Sequence, residues 1–189
     1  NEEINRRIEE VHRLAPGKSA LLVIDMQHGF LDEGASLEVA AGRNIIPVIS
    51  SLVDAFRTKK APVIFTEFVY ADNVPCLRGD PFGVEHLPAK EGEPTGLEHP
   101  SSNCLIGPNA GEGVEAAETV EELAPLPGEL VVQGHTYDKF YGTPLDLSLR
   151  SQGITYLVAT GITTDVCVSG TVISGTTRDY RVTLATDGV

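Results

Sequence analysis

The sequence predicts an α/β fold built on a parallel sheet, and three observations carry that prediction. Ala20–Ile24 (ALLVI) is an unbroken apolar run, the pattern of a central strand covered on both faces. Similar short runs recur at Ala61–Phe65 (APVIF), Leu130–Gln133, Tyr156–Thr160 and Val182–Ala185. Helix-like segments stand between most of them, and such alternation implies parallel strands joined by right-handed crossovers.

Each element has its own local reason. Ile4, Ile8, Val11 and Leu14 recur at helical spacing, and Pro16-Gly17 ends that helix. Asn44 is placed to cap a second helix with Pro47 in its first turn. Ile45, Ile49, Leu52, Val53 and Phe56 then form its buried stripe. Val114–Leu123 reads as a weak helix, Leu145–Arg150 as a short one and Asp165–Asp179 as a longer one. With 189 residues the chain is expected to form a single domain over 1–189. Ala71 to about Gly113 interrupts it with a Gly-, Pro- and polar-rich stretch too long for an ordinary connection. An active-site lid, a partner-contacting arm and a plain surface loop are the three readings of that stretch.

Charge and cysteine usage exclude several classes. The formal net charge of −13 argues against nucleic acid, because a polyanion would be repelled. No apolar run approaches the roughly 18 residues of a membrane span. The start, NEEINRRIEEVHRL, lacks an apolar signal core. Cys76, Cys104 and Cys167 form an odd, widely spaced set without CxxC pairs, so neither a disulfide framework nor a zinc cluster is expected. A reducing, cytoplasmic setting fits that usage.

The chemistry concentrates in Tyr156–Gly170 (YLVATGITTDVCVSG). It reads as a buried strand, a sharp turn and a helix whose first turn carries Cys167. Unpaired N–H groups and the helix dipole there favour thiolate, the nucleophilic form. A buried, inert cysteine is the competing reading. Asp25 ends the first strand. Ligands in such folds bind at the carboxyl ends of strands, so one rule brings Asp25 and Cys167 to one crevice. Asp25 is a candidate to take the thiol proton and later return it to a leaving amine; a turn-capping role is the alternative. N–H groups at Thr163 and Cys167 are candidates to hold an oxyanion, while Thr164 is equally placed to cap the helix.

IDMQHGFLD, FYGTPLDLSLR and VATGITTDVCVSGT, in that order and spacing, resemble the isochorismatase-like cysteine hydrolases. The resemblance runs from about Ala20 to Gly188. It implies a three-layer α/β/α sandwich and an Asp, Lys and Cys triad, with Asp25 as base and Cys167 as nucleophile. It further implies a cis peptide between Ile162 and Thr163. The family includes nicotinamidases, N-carbamoyl and ureido amidohydrolases, biuret hydrolases and isochorismatases.

The lysine departs from the family pattern. It belongs six residues before the Phe of the FYGT-like segment, and here that position is Gly134. Lys139, next to Phe140, either reaches the site from a shifted position or is a solvent lysine. Nicotinamidases of the family hold a metal through an Asp-x-His pair, which this chain lacks. No metal and no cofactor are therefore expected.

Candidate substrate contacts are Phe30, Tyr70, Arg78, His135 and Tyr141. The expected function is hydrolysis of a C–N bond in a small amide, carbamoyl or ureido compound through a thioester. The rivals are an isochorismatase-type vinyl-ether hydrolase and a binding or regulatory protein with a degraded site; a redox pairing of Cys167 with Cys76 or Cys104 is a further option. The resemblance implies a homo-oligomer, a dimer or tetramer, with a small-molecule substrate. The family usually continues with another helix and strand beyond the equivalent of Val189.

Overall fold

The computed structural model describes residues 1–35, 37–69 and 117–189, together with Gly92. Five strands form one parallel sheet: β1 (Ser19–Ile24), β2 (Val63–Phe68), β3 (Leu130–Gly134), β4 (Tyr156–Gly161) and β5 (Arg181–Leu184). Their spatial order is β3-β2-β1-β4-β5. The chain therefore steps outward from β1 on one side, then crosses back to build the other. This reversal lies between β1 and β4, where Ile24 pairs with Gly161. A ligand crevice forms at the carboxyl ends of strands at such a switch.

Every residue of β1 is buried, as a central strand requires. Its alternation sorts the two cores. Leu21 and Val23 face one layer and pack with Ile49, Val53 and Phe56 of α3 (Ile46–Thr58). Ala20, Leu22 and Ile24 face the other and pack with Leu145 and Leu149 of α4 (Leu145–Ser151), with Val168, and with Tyr180. Helices thus cover both faces, and the fold is the three-layer α/β/α sandwich. α5 (Ser169–Thr177) lies on the α4 side. A short helix, α2 (His28–Leu31), follows β1.

Several elements differ from the sequence reading. Asn44 is not a helix cap, because Ala40–Ile45 already winds as a 3₁₀ helix and α3 begins at Ile46 without a side-chain cap. The segment 165–179 does not start as an α-helix. Thr164–Val168 forms a π turn that passes into α5. Of the expected helix at 114–123, the described part holds a 3₁₀ turn at Glu121–Leu123, and Thr119 makes a β-bridge to Gln27. The first helix, α1 (Glu2–His12), forms as expected but buries no residue, and Ile4, Ile8 and Leu14 stay exposed. The stretch 71–113 lies outside the described residues apart from Gly92. Among the described residues no helix is long and apolar enough to cross a membrane.

Candidate active site

Asp25 is the first residue beyond β1, and its backbone turns into the left-handed region at φ 53°. A non-glycine residue there is strained by its Cβ and must be held by its surroundings. The neighbouring strand does the holding. The Asp25 N–H donates to the carbonyl of Thr66 at 3.1 Å, and the Thr66 hydroxyl donates to Asp25 Oδ1 at 2.7 Å. The other carboxylate oxygen, Oδ2, meets Lys139 Nζ at 2.7 Å. Both side chains are 1% exposed. Taking two charges out of water is costly, and their attraction in a low-dielectric interior repays it only with good geometry and further partners. Lys139 has such partners: its ammonium donates to the Thr136 carbonyl at 3.0 Å and lies 4.8 Å from the centre of the Phe68 ring.

Lys139 is thus no solvent lysine. Gly134 ends β3, and adding a Cβ there would bring it to 3.0 Å from Thr143. The cation comes from the turn after β3 instead, and its long side chain spans the gap to Asp25.

Cys167 enters from the other side of the switch. After β4 the chain makes a cis peptide between Ile162 and Thr163. The Ile162 N–H donates to the Ile24 carbonyl at 3.0 Å, which pins this turn to the residue before Asp25. The Thr163 carbonyl accepts from the N–H groups of Val166 and Val168, the second bond closing the π turn. Thr163 is the N-cap of that turn, without a side-chain cap hydrogen bond. Cys167 sits in the turn and is buried. It lines a cavity of about 510 Å³, shared with Phe30, Phe68, Tyr137 and Thr163. Phe68 links the two halves of the site, since it borders the cavity and carries the lysine ammonium over its ring. The remaining walls are mainly apolar, with Glu38 and Asp165 as the lining carboxylates among the described residues. Glu38 is tied to Arg43 at 2.7 Å, and that bond holds its carboxyl below the usual carboxylate range.

The other sequence candidates divide. Phe30 lines the cavity. His135 is buried beside it: its Nδ1 is 3.0 Å from the Val69 carbonyl and its ring lies 4.9 Å from that of Phe68. It supports the wall and is not among the described residues that line the cavity. Tyr141 is half-exposed and also absent from that lining; Tyr137, four residues earlier, takes the place expected of it. The turn's direction decides between the two tyrosines, and no periodicity reports a turn's direction. Tyr70 and Arg78 lie outside the described residues.

Two polar groups escaped the sequence reading. Thr66 grips Asp25 from β2. Gln27 is fully buried and spans three chain segments: its amide nitrogen donates to the carbonyls of Phe68 and Ala117, and its oxygen accepts the Phe68 N–H at 2.8 Å. Its place two residues after Asp25, at the exit of a buried strand, was the available signal. Among the described residues no three His, Cys, Asp or Glu side chains gather as a metal site would require.

Comparison with known proteins places this geometry. Residues 19–189 match the family model described as the isochorismatase domain. The chain belongs to the isochorismatase family. It is 33% identical over 176 residues to a ureidoacrylate amidohydrolase, RutB, of Enterobacter sp. (strain 638), covering 90% of this chain and 74% of that protein. A cysteine hydrolase from Pseudomonas syringae pv. phaseolicola 1448A superposes with a TM-score of 0.69 at 25% identity, covering 93% of this chain and 73% of the other. N-carbamoylsarcosine amidase from Thermoplasma acidophilum shares the fold at a TM-score of 0.69 and 24% identity, covering 91% and 83%.

Proposed function

We propose that this chain is a metal-independent cysteine hydrolase that cleaves the C–N bond of a small amide, carbamoyl or ureido compound. Asp25 takes the proton from the Cys167 thiol, and the sulfur attacks the substrate carbonyl. The oxyanion that forms is held by the N–H groups of Thr163 and Cys167. Asp25 returns its proton to the departing nitrogen, the C–N bond breaks, and a thioester remains on Cys167. Asp25 then draws a proton from water, whose oxygen attacks the thioester and releases the acid. Lys139 offsets the site's negative charge as it passes from Asp25 to the sulfur and the oxyanion and back again.

The observation that carries this reading is the buried Asp25–Lys139 pair, which Phe68 joins to the cavity that Cys167 lines. It supplies a charged carboxylate and its counter-ion despite the glycine at 134. The names of the relatives support the C–N class: RutB acts on ureidoacrylate, and the Thermoplasma protein on N-carbamoylsarcosine.

The test is ammonia release from a panel of simple amides, carbamoyl amino acids, ureidoacrylate and biuret. At least one substrate is expected to turn over, with the rate cut by about a hundredfold or more in Cys167→Ser and unchanged after dialysis against EDTA. Full activity in Cys167→Ala would overturn the thioester route. No ammonia from any of these compounds, together with cleavage of a vinyl ether that survives Cys167→Ala and is lost in Asp25→Asn, would point instead to acid-catalysed vinyl-ether hydrolysis.

A further inference from the structure

Lys139 stands on a turn, where no strand ladder fixes it. Hydrogen bonds inside the turn shape it: the Thr136 hydroxyl donates to the Asp138 carbonyl at 2.6 Å and the Thr143 hydroxyl to the Lys139 carbonyl at 2.5 Å. They do not set where the turn sits relative to the sulfur. Contacts to the helix that follows Cys167 do. The Lys139 N–H donates to Thr171 Oγ1 at 3.2 Å, and that hydroxyl donates to the Tyr137 carbonyl at 3.3 Å. Ser174 Oγ donates to Asp138 Oδ2 at 2.7 Å, while Asp138 Oδ1 accepts the Phe140 N–H at 2.8 Å. Gly170 allows the close approach, since a Cβ there would lie 3.3 Å from the Tyr137 carbonyl oxygen. Cys167, Thr171 and Ser174 are all buried, at spacings of four and three along the same helical run.

We propose that Thr171 is a positioning residue for the active-site lysine, so that a single helical segment places both the nucleophile and the cation. The proposal rests on the role given to Lys139 above. Thr171 spans two carbonyl-to-amide links of the turn, so its hydroxyl fixes the lysine backbone. It lies four residues after the sulfur, where the π turn passes into α5, so the backbone that carries the lysine is anchored to the segment that carries the sulfur. A family member with its lysine on a strand end has no need of this anchor. A chain with its lysine moved onto a turn does.

The readout is the rate at which iodoacetamide alkylates Cys167 at pH 7, followed by mass mapping of the Cys167 peptide. It needs no substrate. Thr171→Val is expected to slow alkylation by about tenfold, as loss of a nearby cation disfavours thiolate. Thr171→Ser, which keeps the hydroxyl, is expected to stay within about twofold. Lys139→Gln is expected to slow alkylation as Thr171→Val does, and the double variant to be no slower than either single one, because both act through one group. An equal further slowing by Thr171→Val in the Lys139→Gln background would overturn the proposal, since the threonine would then act by another route. An unchanged rate in folded Thr171→Val would overturn it as well. An unchanged rate in Lys139→Gln would remove the lysine's own role, and the anchor with it. Should Thr171→Val fail to fold, Ser174→Ala carries the same comparison through Asp138.

Discussion

At the scale of single residues, the pairing of Asp25 with Lys139 sets the energetics of the site. Each charge is buried, and each is tolerable only because the other is 2.7 Å away. Removing one partner of such a pair leaves an uncompensated charge, which costs about 3–5 kcal/mol. Lys139→Met is therefore expected to lose stability on that scale in urea unfolding, and Asp25→Asn/Lys139→Met to recover much of it, since no charge is then stranded. Turnover stays absent from both. Stability unchanged in Lys139→Met would show that the two groups do not meet as a buried ion pair. This residue-level contact was half legible in the sequence. Asp25 stands out because it ends an apolar run, and Cys167 because it follows a strand and a glycine turn. Lys139 does not stand out. Motif spacing points to Gly134, and only the path of the turn through Thr136 and Asp138 shows that a lysine five residues later reaches the same carboxylate.

At the scale of elements, the site exists because β1 and β4 approach closely at their carboxyl ends. Gly161 makes that approach possible. It holds φ at +113°, and a Cβ on it would lie 2.7 Å from the backbone carbon and nitrogen of Ile24 and closer still to the carbonyl oxygen. Nothing there is a flexible side chain that could give way. Gly161→Ala is expected to cost about 3 kcal/mol or more, from backbone strain plus overpacking. In a thermal melt that is a fall of at least about 6 °C for a domain of this size. An unaltered melting temperature would mean that the two strand ends stand further apart. Strands were the most legible elements for a related reason. A central parallel strand is apolar on both faces, so ALLVI and YLVA announce themselves without any periodicity. Helix starts were less legible. Asn44 has a capping side chain, but the 3₁₀ winding of Ala40–Ile45 begins earlier and consumes it. The π turn at Thr164–Val168 carries no sequence signal distinct from that of an α-helix.

At the scale of the whole molecule, Glu67 ties distant parts of the chain together. It lies on β2, is 6% exposed, and accepts hydrogen bonds from the N–H and hydroxyl of Thr119 and from the Gln133 amide of β3. It thus secures the chain where it returns to the sheet at 117–119. Burial raises its carboxyl above the ordinary 4.5, with the nearby charge of Glu118 adding to the effect, while these hydrogen bonds oppose it. The sign of the consequence follows from proton counting. Between its ordinary and its raised value, Glu67 holds more protons in the native state than in the unfolded chain, so stability falls as pH rises through that window. Glu67→Gln removes the titration and keeps the contacts, provided the exposed Gln133 amide turns to present its oxygen. The variant's melting temperature, relative to the natural protein, is expected to climb as pH goes from about 5 to 8. The climb is about 2–4 °C for each kcal/mol of charge burial relieved. Taking the difference between the two proteins at each pH cancels the other 26 carboxylates among the 27 acidic side chains. A difference that fell with pH would mean that the hydrogen bonds outweigh burial and that the native state favours the charged carboxylate. A flat one would mean that Glu67 titrates alike in both states, with burial and the hydrogen bonds cancelling.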